Sequence, residues 1–384
     1  MLQTKTRVWA EVSLDQIACN YRAMLSCLHP GCQIIAVLKA NGYGHGAVAV
    51  ARLLQNIGCR QFAVACMEEG IELRQAGIDG TVLLLSPVLP DWMPYAAEYR
   101  LTVPLTDLQM AQKLSEWASA NGREVPAYLM ADCGLSRFGV VVAGREEAAI
   151  QELCAMSRLA GLRLHSLMTH LTAGGVAEQD TLNREQLERF RWLALELEQR
   201  GVYLPKHCCA SRFAVRYPDY QFDYVRIGSD LFGVHPYYGE GPVFLPAMEL
   251  KGLLSQVKEV ETGNFVGYGP VFKTCRRTKV AVFPMGYVDG LSCRLGGRMQ
   301  MLVDGKRVQQ IGRLCMDSCM LDVTDVPEAK AGDTVTVFGQ DGGTAISVQE
   351  QAALYPGTAS ELICLLGRRV PRFYTGEYAK QILL

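Results

Sequence analysis

The 384-residue sequence lacks the usual marks of a membrane, nucleic-acid or metal protein. No apolar run approaches the roughly 20 residues that cross a bilayer. The start, MLQTKTRVWAEVSL, holds no uninterrupted hydrophobic core of a secretory signal. These absences predict a soluble chain with no membrane span, either cytoplasmic or the cytoplasmic domain of a membrane-bound protein, since a domain cut from its anchor would read the same. Basic and acidic residues nearly cancel, 38 against 39. With no basic block, no nucleic acid or anionic surface is expected as a partner. HExxH and CxxC are both missing, the six histidines are scattered, and Cys315 and Cys319 do not set out zinc ligands. No metal is expected. Fourteen cysteines are too dilute for a disulfide scaffold and read mostly as small buried thiols of a reducing compartment. No repeat, linker or low-complexity segment argues for a third domain.

What is present centres on IIAVLKANGYGHGA, residues 34–47. Ile34 to Leu38 reads as a buried strand, Lys39 stands at its end beside a glycine-rich turn, and a helix is expected from Ala47 to about Ile57. Parallel barrels place chemistry at such strand ends. Strand-then-helix units continue through Phe62–Ala65, Thr81–Ser86, Leu101–Pro104, Ala127–Ala131, Leu162–Met168, Lys206–Ser211 and Tyr224–Gly228. About eight units favour a (β/α)8 TIM-like barrel over an open sheet. Before them, Arg7–Ser13 alternates like a strand, and Ser13 with Gln16 could cap a helix carrying Ile17, Tyr21, Met24, Leu25 and Leu28. After Pro246 the pattern turns to strands: Glu249–Glu261, Thr278–Phe283, Met299–Val303, Arg307–Arg313 and Thr334–Phe338, with tight turns at Asp304-Gly305 and Asp341-Gly342-Gly343. The expected division is a barrel over residues 11–245 followed by a mostly β domain over 246–384.

Seven motifs then carry a resemblance. KANGYGHG at Lys39, SRFG at Ser136, VRIGSDLFG at Val225, VGYG at Val266, GYVDG at Gly286, CMD at Cys315 and VPRFY at Val370, in this order, resemble the pyridoxal-phosphate-dependent alanine racemase family. The match implies that residues 1–10, with the first strand near Val8, join the β domain, and it implies a homodimer with composite active sites and a small amino acid as substrate. Pyridoxal 5'-phosphate fits the chemistry, because an amino acid α-proton is too weakly acidic to remove without an electron sink. By resemblance Lys39 holds the cofactor's aldehyde and acts as one base, and Tyr268, supplied by the partner subunit, is the opposite-face base. By itself a tyrosine between glycines would read as a core or turn residue. A phenol titrates near about 10, so a cationic neighbour must assist it. His170 resembles the histidine that sits near this tyrosine and touches an arginine. Arg226 resembles the arginine facing the pyridine nitrogen; an arginine offers only donors, so that nitrogen should stay unprotonated. Tyr43, Ser211, Gly228, Ser229 and Tyr374 fall on the family's phosphate contacts. Arg137 and Met316 fall on its substrate-carboxylate contacts, and Tyr287, Arg313, Cys315 and Asp317 line or support the entrance.

Departures from the pattern matter. Met130, seven residues before Arg137, replaces a lysine that is often carbamylated, so Arg137 needs another support. Ala210 stands where asparagine is common, and Gly175 and Cys293 replace two charged groups of the substrate corridor. The implied activity is racemisation of L- and D-alanine, supplying D-alanine for peptidoglycan. The alternative is a serine or dual alanine/serine racemase of glycopeptide antibiotic resistance. Lysine or arginine racemisation, amino acid decarboxylation on a related architecture, and a cofactor-binding barrel without catalysis fit less well; the last would lack Tyr268 and Met316.

Overall fold

The computed structural model describes residues 6–174, 177–234 and 241–382. Strand β1 (Val8–Ser13) leads into a helix, Leu14–Leu25, whose first turn is capped by Ser13 Oγ accepting from the Gln16 amide at 3.1 Å. Gln16 does not reach back to complete the capping box; its side chain donates to Asn20. The helix stops at Leu25, which is exposed, and Leu28 lies beyond it.

The barrel strands follow: β2 (Gln33–Val37), β3 (Gln61–Val64), β4 (Thr81–Leu84), β5 (Val103–Leu105) and β6 (Val125–Asp132). β7 (Val140–Val141) is a spur on β6, and β8 (Leu162–Met168), β9 (Lys206–His207) and β10 (Tyr224–Ile227) complete the set. Parallel ladders run β10-β2-β3-β4 and β5-β6-β8-β9. Single parallel bridges, Leu83 to Thr102 and Ala210 to Arg226, close the two seams into an eight-stranded ring. Continuous apolar strands suit this setting because both faces are covered. Ile35, Val37, Ala63, Leu83, Tyr128, Met130 and Met168 fill the interior. The surrounding helices bury one stripe each: Asp180–Gln199 turns Leu187, Phe190, Leu193 and Leu197 inward.

The second domain is a ten-stranded, largely antiparallel sheet. Its strands are β11 (Met248–Leu253), β12 (Gln256–Val260), β13 (Thr278–Phe283), β14 (Gln300–Val303), β15 (Lys306–Ile311), β16 (Cys319–Asp322), β17 (Thr334–Asp341), β18 (Thr344–Ile346) and β19 (Arg372–Thr375). The order is β12-β13-β16-β15-β14-β17-β11-β1-β19, with β18 on β17. Asp304 and Gly305, both left-handed at φ 51° and 69°, turn β14 into β15, as a two-residue hairpin demands.

Several boundaries differ from expectation. β1 pairs with β11 and β19 through Ser13, so residues 11–13 lie in this sheet and not in the barrel. The single strand expected over Glu249–Glu261 is two strands: β11 pairs with β1 and β17, and β12 pairs with β13. Lys206–Ser211 shrinks to a two-residue strand because Ser211 already opens a helix, Ser211–Arg216. Among the described residues no helix is long and apolar enough to cross a membrane, and no group of acidic, histidine and cysteine side chains could hold a metal.

Candidate active site

Lys39 follows β2 directly, and what comes next is a left-handed turn. Ala40, Asn41, Gly42 and Tyr43 all have φ between 50° and 61°. For L-residues this costs roughly 1–2 kcal/mol each, so other contacts must hold it. Glu69 does so from outside, one carboxylate oxygen accepting from the Ala40 amide at 2.6 Å and the other from Ala65 at 2.8 Å. Asn41 Oδ1 accepts from the Ala47 amide at 2.9 Å and thereby caps the next helix. Inside, buried His45 donates from Nδ1 to the carbonyls of Gly42 and Tyr43 and stacks on Phe232, ring centroids 4.3 Å apart.

The turn aims Lys39 and Tyr43 into a cavity of about 480 Å³ at the C-terminal end of the barrel. Arg137, His170, Ser211, Arg226, Gly228 and Ser229 line the same space. Arg137 is delivered by a loop folded onto buried Asp132, whose oxygens accept from the amides of Gly134, Ser136 and Arg137 at 2.8–3.1 Å. Its guanidinium lies 5.7 Å from the Phe138 ring, and Met130 packs in the barrel core with no polar prop for it. Arg226 is only 3% exposed. Its Nη1 donates to His207 Nδ1 at 2.7 Å, and its Nη2 to the Thr169 and Cys208 carbonyls and to His170 Nδ1 at 3.1 Å.

Burial, reinforced by Arg226, Arg137 and Lys39, pushes the His170 imidazole down to about 3, so it stays neutral and accepts. Burial and the Arg137 charge together lower the Lys39 ammonium below the ordinary lysine range, which favours the neutral amine a base requires. Burial raises the Tyr43 phenol to about 12, keeping it a hydrogen-bond donor. Gly228 has no alternative: a Cβ there would fall 2.5 Å from Tyr43 Oη. Its amide points to Ser211 Oγ at 3.3 Å.

The remaining expected residues are elsewhere. Tyr374, on β19, packs its hydroxyl against Gly46, behind the left-handed turn and outside the cavity lining. Tyr268 is 72% exposed and, with Cys315, lines a separate cavity in the β domain. Arg313 lies beside Gly269, next to Tyr268. Met316 is 52% exposed; its carbonyl accepts from the Val288 amide, beside Tyr287, which is also exposed. Asp317 is held by Arg369 at 2.6 Å. Gly175 lies outside the described residues. The chain thus divides its expected site residues into a lysine cluster in the barrel and a tyrosine cluster on the β domain. Glu69, Asn41, Asp132 and His207 had no assigned part in the sequence reading. Only Asn41 falls within a quoted motif, and the others act through folded contacts that no local spacing announces.

The alanine racemase N-terminal domain family matches residues 12–236, and the alanine racemase C-terminal domain family matches 247–374. An alanine racemase of Desulforamulus reducens is 36% identical over 377 residues, covering 97% of this chain and all of that protein. The structure of the alanine racemase of Clostridium difficile 630 superposes with TM-score 0.91 at 29% identity, covering 97% of each chain. That of the Bacillus anthracis alanine racemase with bound L-Ala-P gives 0.89 at 28%, covering 97% of this chain and 96% of the other. Matched along both domains and end to end with these relatives, the chain belongs to the alanine racemase family.

Proposed function

We propose that this chain is a pyridoxal-phosphate-dependent alanine racemase that works as a homodimer in the cytoplasm and supplies D-alanine for peptidoglycan. The observation that carries the reading is the barrel cavity, where a lysine of lowered pKa shares one space with Arg137, Arg226 and the neutral imidazole of His170. The cavity also fits the cofactor. Donors from Tyr43, Ser211 and the backbone at Gly228 and Ser229 gather at one end as a phosphate requires, and the missing Cβ of Gly228 leaves the backbone approachable. Lys39 would hold the aldehyde carbon, and Arg226 would face the ring nitrogen. When bound, the cofactor supplies a sink for the electron pair left as the substrate α-proton departs.

The protein's own groups do the rest. Arg226 has no lone pair with which to accept a proton, so it would offer the ring nitrogen only an N–H hydrogen bond and would keep the sink weak. A weak sink limits side reactions and suits simple proton exchange. Arg137 orients the substrate carboxylate. Lys39 Nζ moves the α-proton on one face, and Tyr268 Oη of the partner subunit moves it on the other. Exposure of Tyr268, Met316 and Tyr287 on the β domain supports this arrangement, since a second copy would cover them. The relatives' names favour alanine, and the serine alternative draws no support from them.

Solvent deuterium exchange into each pure enantiomer of alanine, with chiral analysis, tests the reading. Wild type should exchange and invert both, and serine more slowly. Tyr268→Phe should lose inversion in both directions, with exchange from one enantiomer falling about 10²–10⁴-fold more than from the other. Equal exchange from both enantiomers in that variant would remove Tyr268 as the second base.

A further inference from the structure

At the opposite, N-terminal end of the barrel lies a second cavity, of about 180 Å³, which the chemistry at Lys39 does not use. Arg74, Arg100, Arg163, His165 and Thr102 line it, with Asp79 the one carboxylate among the lining residues. Among the described residues neither Arg74 nor Arg100 forms a salt bridge, and Arg163 pairs only with Glu124 at 3.2 Å. Arg74 is instead pinned by carbonyls: Nε to Tyr99, Nη1 to Ile78 and Gly80, and Nη2 to Arg100, at 2.6–2.9 Å. Those four bonds leave one of its five N–H groups unspent.

The imidazole facing this cavity has its tautomer set from the active site. Arg226 can only donate, so His207 Nδ1 accepts and its proton sits on Nε2. His207 Nε2–H therefore donates to Ser166 Oγ at 2.9 Å, and the Ser166 hydroxyl is free to donate to His165 Nδ1 at 3.3 Å. His165 then carries its own proton on Nε2. Together with the guanidiniums this makes a concave site rich in donors and poor in acceptors, with an uncompensated positive charge.

We propose that this cavity binds a small inorganic oxyanion of the phosphate or sulfate class. Its volume is well below the roughly 300–1,000 Å³ of pockets that enclose a metabolite, which limits the ligand to the bare anion. Guanidiniums are the side chains best matched to such oxygens. The site stands apart from the reading of the active site, because it rests on no bound cofactor.

The test is calorimetric titration of inorganic phosphate into the holoenzyme at ionic strength held constant with chloride, followed by competition with sulfate. One saturable site per protomer is expected, and sulfate should compete for it. Arg100→Gln and Arg163→Gln lie on exposed side chains and leave the carbonyl-pinned Arg74 in place. Each should weaken binding by about tenfold, the scale of one charge-assisted hydrogen bond. Arg277→Gln, which removes the same charge from the β domain, should leave binding unchanged. No saturable binding, or binding equally strong in both cavity variants, overturns the proposal.

Discussion

His45 and His207 are buried and His170 is half-buried, and all three are held neutral, His45 at about 4 and His170 at about 3, with His207 lowered well below its ordinary value. Desolvation is the first cause in all three. In the unfolded chain they would titrate near about 6.5, so below that pH the unfolded state binds more protons than the folded one. The stability they protect is fully present above about pH 6.5 and is lost as pH falls toward the folded values, at up to about 1.4 kcal/mol per histidine per pH unit. Buried Asp230, raised to about 6, works the other way, since its folded carboxyl takes a proton first. Three groups outweigh one. The thermal midpoint should therefore fall between pH 7 and pH 5, and a midpoint that holds or rises would contradict the buried neutral histidines.

At the scale of elements, the left-handed turn after β2 depends on its anchors. Glu69→Ala frees the Ala40 and Ala65 amides and should cost about 1–3 kcal/mol in chemical denaturation. It should also lower kcat, because Lys39 starts that turn; full activity with unchanged stability would show the anchor to be idle. The barrel strands around this turn were legible because long apolar runs alternated with amphipathic helices. The turn itself was legible only as glycine-rich. Ala40, Asn41 and Tyr43 are not glycines, and their conformation is held by Glu69 from a later helix and by Asn41 and His45 within the motif itself. In the β domain Asp304-Gly305 gave its hairpin away, whereas β16 and β19 are four-residue strands with too little alternation to stand out. The break at Leu254-Ser255 was hidden because both flanking strands carry apolar residues and only their different partners separate them. Among site residues, those inside the seven motifs were legible by resemblance. His207 reaches the active site through Arg226, so its part shows only once the barrel closes.

Over the whole molecule, the lysine cluster and the tyrosine cluster do not meet within one chain, so the proposed dimer makes a sharp demand. Lys39→Ala and Tyr268→Phe subunits, each inactive alone, should regain activity when mixed, because a heterodimer contains one site with both wild-type bases. Absence of recovery after verified subunit exchange would end the composite-site arrangement. The clasp of β1 between β11 and β19 imposes a different demand, in time. β1 is made before both of its partners: roughly 235 residues of barrel separate it from β11, and β19 follows only after the rest of the β domain. At about 5–20 residues per second, β1 waits on the order of ten to fifty seconds for its first neighbour. The barrel can therefore take shape beside an unpaired strand, and the sheet can close on both sides of β1 only once β19 has left the ribosome.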